Sequence, residues 1–178
     1  AAHSTFEEVA FLLWNKRLPN RIELDQLNQR FGETYAVRRE VFDVIKQIPR
    51  DSDPIDTLRT AVSALESYDK TARDISNANS RHIATKLTGQ FATLVAAVDR
   101  IRNGKDPIDP LRNANVATNF LYMLKGEMPS EHDAKLFDVC LILHADHELN
   151  ASTFTARVVA GTLATVYASV VAAIGALS

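Results

Sequence analysis

Leu141-Ile-Leu-His-Ala-Asp-His-Glu-Leu-Asn-Ala-Ser-Thr-Phe-Thr-Ala-Arg157 is an apolar run that delivers two histidines, an aspartate and a glutamate within five residues, then resumes on small and apolar residues. On a helix His144 and His147 are three positions apart and share a face, His144 and Glu148 also align, and Asp146 points elsewhere. Asn150, Ala151 and Ser152 then supply cap residues for a new helix. The histidines are therefore expected at a helix-to-helix junction whose following N-terminus favours an anion. Helix on both sides of the one polar cluster sets the reading for the rest of the chain.

Upstream, Pro129-Ser130 opens the helix that carries His144, and the spacing predicts a further helix from Asn115 to Lys125 stopped by Gly126. Lys105-Asp-Pro-Ile-Asp-Pro-Leu is an extended connection, because Pro107 and Pro110 exclude a continuous helix. A long helix is expected from about Arg81, with Ile83, Leu87, Phe91, Leu94, Val95 and Val98 facing a core and Gly104 ending it. Residues 67–80, rich in Ser, Asp and Asn, read as a loop with partial helix. Asp53 as N-cap and Pro54 at the first helical position start the helix of Leu58, Val62 and Leu65. Val37, Val41, Phe42, Val44, Ile45 and Ile48 form an amphipathic stripe closed by Pro49. A segment from Ile22 to Phe31 is expected to end at Gly32. Ser4 and Thr5, with Glu7 and Glu8 three residues on, write overlapping capping boxes before a short helix reaching about Trp14. Downstream, Ala151 to Leu177 reads as one helix or as two re-capped by Thr162 or Thr165 after Gly161. No stretch alternates as a strand does, so the expected class is all-α, built from packed antiparallel and orthogonal helices.

With 178 residues, 46% hydrophobic and 24% charged, the chain suffices for one sizeable core, and a single unit over 1–178 is expected. A formal net charge of −2 offers no electrostatic ground for nucleic acid or an anionic membrane as partner. Arg38-Arg39 and Arg100-Ile-Arg102 read as solvated helix faces. The apolar tail from Val158 to Leu177 is too rich in Ala, Thr, Ser and Gly for a membrane span and suits close packing on protein. Glu7-Glu8 stands where a signal peptide would have its basic and apolar regions, so the expected compartment is the cytoplasm. The single cysteine, Cys140, excludes an intrachain disulfide and reads as a buried, inert thiol.

Read from residue types alone, His144 and His147 serve either as satisfied helix-end histidines or as ligands to a substrate. No metal is expected, since two histidines with nearby acids fall short of a zinc set. Asp146 and Glu148 suit fixing the histidines or capping the turn better than acting as bases. His3, His82 and His132 are expected to be exposed. The sequence carries no Gly-rich phosphate loop, nucleophile elbow or paired-cysteine motif.

The junction resembles the citrate synthase family, including its 2-methylcitrate synthase branch. The likeness is carried by His144-Ala-Asp-His147-Glu148, by Asn150-Ala-Ser152-Thr and by the Ala-rich stretch running to Gly175-Ala-Leu. Support extends through Ser4-Thr-Phe-Glu-Glu-Val-Ala-Phe-Leu-Leu-Trp14, Leu58-Arg-Thr-Ala-Val-Ser-Ala-Leu65 and Asn119-Phe-Leu-Tyr-Met-Leu124. The resemblance implies a multi-helical large domain, with the small CoA-binding domain absent from these residues, and a homodimer packed through helices near 36–48, 54–67, 151–163 and 165–177. It implies an acyltransferase of the tricarboxylic acid cycle that condenses acetyl-CoA with oxaloacetate to citrate and CoA, and binds no cofactor. The alternatives are a 2-methylcitrate synthase using propionyl-CoA and a non-catalytic helical dimer module.

In the family the second histidine of the motif lines the oxaloacetate pocket, which assigns substrate binding to His147. Ser152 matches the family serine that orients a catalytic histidine, and it equally reads as an ordinary N-terminal helix serine. Asn150 and His144 complete the expected substrate-binding set. The family's catalytic aspartate and its other two histidines, one of them in a Gly-Pro-x-His-Gly motif that follows the Ala-rich helix, are expected beyond Ser178. The resemblance thus implies a fragment that does not turn over by itself.

Overall fold

The computed structural model describes residues 3–177; Ala1, Ala2 and Ser178, where the sequence reading placed the limits of the unit, lie outside the described residues. Among these, nine helices and no strand occur: α1 (Phe6–Asn15), α2 (Arg21–Thr34), α3 (Arg39–Gln47), α4 (Pro54–Ser67), α5 (Asn77–Arg102), α6 (Val116–Lys125), α7 (Glu131–His144), α8 (Ala151–Gly161) and α9 (Val166–Gly175). The chain is all-α, as its periodicity indicates.

Local chemistry sets most boundaries. Thr5 and Glu8 close a reciprocal capping box, with Thr5 N–H donating to Glu8 Oε2 at 2.8 Å and Glu8 N–H to Thr5 Oγ1 at 3.3 Å. Asn20 and Glu23 form a second box at the start of α2. Asp53 Oδ1 accepts from Ile55 N–H at 2.9 Å, with Pro54 at the first helical position as expected. Gly126, at φ 90°, ends α6 in the left-handed region that favours glycine. The Ala-rich tail is two helices: α8 stops at a Leu163 with φ 62°, and Thr165 re-caps α9 by accepting from Ala168 N–H at 3.1 Å.

Two boundaries differ from expectation. Helix α5 begins four residues earlier than Arg81, because Ser76 caps it and Asn79 Nδ2 braces the preceding turn through Thr71 O at 2.8 Å and Asp74 O at 2.7 Å. The polar residues that suggest a loop are a cap and a brace. Gly32 does not end α2 but lies inside it, where a Cβ would fall 2.1 Å from Arg112 O. The glycine permits a backbone approach rather than a stop. Gly32→Ala is expected to cost about 1–3 kcal/mol through forced separation of α2 from the 111–115 segment, read as a lower denaturant midpoint at unchanged m-value.

Helix α5 is the axis of the molecule. One side joins α3, α4 and α9 in a core of Val41, Ile45, Val62, Leu65, Ile83, Leu94 and Tyr167. The other joins α1, α2 and α6 around Leu27, Phe31, Tyr35 and Met123. Helix α9 is tied to the start of α5 by Asp69, which accepts from Tyr167 Oη at 2.7 Å, Lys86 Nζ at 3.0 Å and Thr71 Oγ1 at 2.8 Å. Arg100 and Arg102 are not simply solvated. Arg100 Nε donates to Asp106 O at 2.6 Å, and Arg102 donates to Ser52 O, so both arginines close loops over unpaired carbonyls.

Glu7, read only as a capping residue, is 2% exposed, and its Oε1 accepts from Val116 N–H at 2.9 Å, joining α1 to the start of α6. Beside it the buried Asp138 accepts from Phe6 N–H at 3.0 Å. Burial, reinforced by the Asp138 charge, raises the Glu7 carboxyl above the usual range against the opposing backbone hydrogen bonds; burial likewise raises Asp138. With a folded-state pKa above the unfolded one, the native state binds the proton more tightly, so stability falls as pH rises from the ordinary glutamate value through the raised one. Glu7→Gln keeps an oxygen for Val116 N–H and sheds the charge. It is expected to melt at or above the parent's temperature at pH 7 and to flatten the pH slope, whereas Glu7→Ala orphans that N–H at a cost of about 1–3 kcal/mol.

Candidate functional site

The polar junction begins where α7 runs out. Ser130 Oγ caps α7 by accepting from Asp133 N–H at 3.1 Å, and Phe137 and Leu141, one turn apart, face the neighbouring helices. The opposite face is uncovered: Leu136 is 56% exposed and Leu143 65%, and Cys140 lies between them, also exposed. The expectation of a buried thiol is therefore wrong. The apolar run around Cys140 covers more of the helix circumference than the described residues bury.

His144 is the last residue of α7, and its Nδ1 lies 2.7 Å from Cys140 O. A carbonyl only accepts, so Nδ1 carries the proton and Nε2 is left for another partner. The chain then turns through Asp146, whose Oδ1 accepts from Glu148 N–H at 3.1 Å, and through Glu148, held at φ 55°. That left-handed geometry is uncommon for a residue with a side chain and orients the short segment carrying His147. His147 is exposed and makes no hydrogen bond to a described residue.

Asn150 caps α8, its Oδ1 accepting from Thr153 N–H at 2.8 Å while its own carbonyl accepts from Phe154 N–H at 2.9 Å. The first-turn N–H groups of Ala151 and Ser152 have no acceptor among the described residues and lie at the positive end of the helix. Ser152 is half-buried, and its Oγ is enclosed without a hydrogen-bond partner among the described residues. A buried hydroxyl in that state carries a desolvation penalty that a bound acceptor or donor would relieve.

His144, His147, Asn150 and Ser152 thus fall within one junction between α7 and α8, the two histidines exposed and Asn150 and Ser152 half-buried. His3, His82 and His132 lie apart and exposed. Among the described residues no three His, Cys, Asp or Glu side chains are grouped to hold a metal ion, and no helix is long and apolar enough to cross a membrane. Sequence reasoning missed the enclosure of the Ser152 hydroxyl.

The family model for the citrate synthase C-terminal domain matches residues 1–178. Citrate synthase 2 of Bacillus subtilis is 44% identical over 176 residues, covering 98% of this chain and 47% of that protein. The 2-methylcitrate synthase of Mycobacterium tuberculosis is 40% identical over 177 residues, covering 99% and 44%. The crystal structure of citrate synthase from Pyrobaculum aerophilum superposes with a TM-score of 0.92 at 36% identity, over 98% of this chain and 46% of that one. The structure of the ternary complex of carboxymethyl coenzyme A and oxaloacetate with citrate synthase from Thermoplasma acidophilum gives 0.92 at 26%, over 98% and 45%. The chain spans about half the length of the curated relatives it matches. With a junction of this form on an all-α frame, and with likeness running from end to end, the chain belongs to the citrate synthase family.

Proposed function

We propose that this chain supplies the oxaloacetate-facing half of a citrate synthase site, in an enzyme that condenses acetyl-CoA with oxaloacetate to give citrate and CoA in the tricarboxylic acid cycle. The observation that carries the reading is the α7–α8 junction, where His147, the cap residue Asn150 and the unsatisfied Ser152 hydroxyl meet the positive end of α8.

A dianionic oxo acid needs donors that stay in place as its ketone becomes an alkoxide. The His147 imidazole donates to the substrate, the open first-turn N–H groups of α8 offset its charge, and Ser152 and His144 orient what surrounds it. The Asx turn at Asp146 and the left-handed Glu148 hold His147 in register, so little reorganisation accompanies the reaction. The base that removes the proton alpha to the thioester and the donor to the thioester oxygen belong, on the family pattern, to residues beyond these. The chain alone is therefore expected to give no condensation above background, because no enol forms at a useful rate without them.

The 2-methylcitrate synthase among the relatives supports a second reading, with propionyl-CoA as donor. One methylene in an apolar pocket is worth about 1–3 kcal/mol, and the acyl pocket is built largely by residues outside this sequence. A homodimer fits the outer side of α8, where Phe154 is 59% exposed and Val158 53%, with Gly161 open to close approach. A cytoplasmic enzyme acting on soluble acids and thioesters, with no nucleic-acid or membrane partner, completes the reading.

The test is to join the chain to the remainder of Bacillus subtilis citrate synthase 2 and assay both donors. Citrate from acetyl-CoA and oxaloacetate, with the unjoined chain inactive, supports the proposal; the donor is decided by comparing citrate and 2-methylcitrate formation in this protein's own full-length form, because the joined remainder would impose its own acyl pocket. Turnover by the unjoined chain, or none by the joined one while it folds and dimerises, overturns it.

A further inference from the structure

Where the end of α1 meets α2 and the first turns of α5, Trp14, Leu27 and Ala84 line a hollow of about 340 Å³ together with Arg17, Arg30 and Arg81. Glu23 is the one acid that lines it among the described residues, and its carboxylate is already engaged. Its Oε2 accepts from Arg17 Nη1 at 2.8 Å and from Asn20 N–H at 2.9 Å. Those bonds, the one from Arg17 foremost, hold the Glu23 carboxyl at about 2, so Arg17 and Glu23 offset each other at any working pH. The Arg17 guanidinium also lies over the Phe11 ring, 5.4 Å from its centroid. The other two arginines have no acid. Arg30 makes no hydrogen bond or ion pair among the described residues, and Arg81 donates through Nη1 only to the neutral Asn15 Oδ1, at 3.3 Å. Two unmatched guanidiniums thus border a hollow whose floor is aromatic and aliphatic carbon.

We propose that this hollow binds a small phosphate monoester carried on a flat ring, the phosphate held by Arg30 and Arg81 and the ring packed against Trp14. Charge and size choose the class. Two planar, always charged donors without a carboxylate between them match a group of about −1.5 to −2 charge with several acceptor oxygens better than they match a single carboxylate. The half-buried Trp14 indole offers a surface on which a second ring gains contact in offset or edge-to-face geometry. A hollow near the lower end of the roughly 300–1,000 Å³ range of small-molecule sites holds one ring and one anionic group, not a ligand of coenzyme size. No residue of the α7–α8 junction lines it, so the inference stands apart from the assignment of His147 and its test needs no turnover.

The probe is phenyl phosphate, titrated by isothermal calorimetry into this protein's full-length form, with inorganic phosphate as the charge-only arm and phenol as the ring-only arm. Saturable binding of phenyl phosphate is expected, about tenfold or more tighter than either arm, because each arm forfeits one of the two contacts. Arg30→Gln and Arg81→Gln should each weaken it about tenfold or more, the usual loss when a charged hydrogen-bond donor is removed. Both positions are exposed, so the thermal melt should stay with the parent's. Glu23→Gln acts in the opposite direction: it frees Arg17 from its carboxylate and should tighten binding about threefold, a gain that damage to the fold does not produce. Absence of saturable binding, inorganic phosphate binding as tightly as phenyl phosphate, or an affinity that survives both arginine substitutions overturns the proposal. So does weaker binding by a Glu23→Gln protein that melts with the parent.

Discussion

Replacing His147 with alanine is expected to lower kcat/KM for oxaloacetate by about 10²–10³-fold in the chain joined to the rest of a family enzyme, the usual loss when one fixed donor to a developing oxyanion is removed. The size follows from position. His147 sits on a short segment held by the Asp146–Glu148 turn and bonds to no described residue, so its imidazole is committed to no structural duty. The substitution should therefore leave the melting temperature within about a degree of the parent, since an exposed side chain without partners contributes little to stability. His147→Asn keeps a donor and should recover part of the loss, whereas His132→Ala, exposed at the start of α7, should change neither rate nor affinity. Steady-state release of the CoA thiol at varied oxaloacetate reads all three. A fall of less than threefold for His147→Ala would remove His147 from the site.

The second large effect concerns stability. Asp69 accepts from Tyr167, Lys86 and Thr71 together, with its side chain only 6% exposed and that of Lys86 26%. Asp69→Ala leaves an ammonium and a phenol without their shared acceptor where α9 meets α5, and is expected to cost about 3 kcal/mol, the low end for breaking a buried pair because Lys86 retains some water. Burial pushes the Asp69 carboxyl up, but the hydrogen bonds from Tyr167, Thr71 and Lys86 outweigh it and hold the group below the usual aspartate range. A depressed folded-state pKa means that the unfolded chain binds the proton more readily between the two values. The contribution is thus complete above the ordinary aspartate pKa of about 3.9 and fades as pH falls below it. Urea melts of parent and Asp69→Ala should differ fully at pH 7 and converge toward pH 2–3. A gap that stays constant over that range would show that the loss comes from packing and not from the carboxylate.

The Asp69 tie acts on α9, the helix on which α8 packs and which shares a core with α4 and α5. Loosening α9 should disturb the junction indirectly. In the joined enzyme Asp69→Ala is then expected to raise KM for oxaloacetate at temperatures near its melt while leaving it unchanged well below, which separates it from the temperature-independent effect of His147→Ala.

Helical class, most caps and the location of the polar junction could be read from the sequence because each depends on residues within a few positions of one another. Thr5 with Glu8, Asp53 with Pro54, and Asn150 with Thr153 act over one helical turn, and the histidines follow directly on the apolar run of α7. Whether Ala151–Leu177 was one helix or two stayed open, because Thr162 and Thr165 carry the same side-chain chemistry. The left-handed Leu163 and the packing of α9 on α4 and α5 select Thr165.

What residue type alone determined about this protein, then, is where its helices start and stop and where its polar chemistry gathers, since capping and amphipathic spacing are short-range forces. Tertiary structure decided the rest. Gly32 is a contact point because Arg112, 80 positions away, passes over it. Glu7 is buried because Val116 needs its oxygen, and Cys140 is exposed because nothing in these residues packs on that face of α7. Val95 lies at core spacing yet borders an open groove. Spacing specifies which face of a helix is apolar, but burial of that face depends on a partner element, and partners are chosen by the packing of segments far apart in the chain.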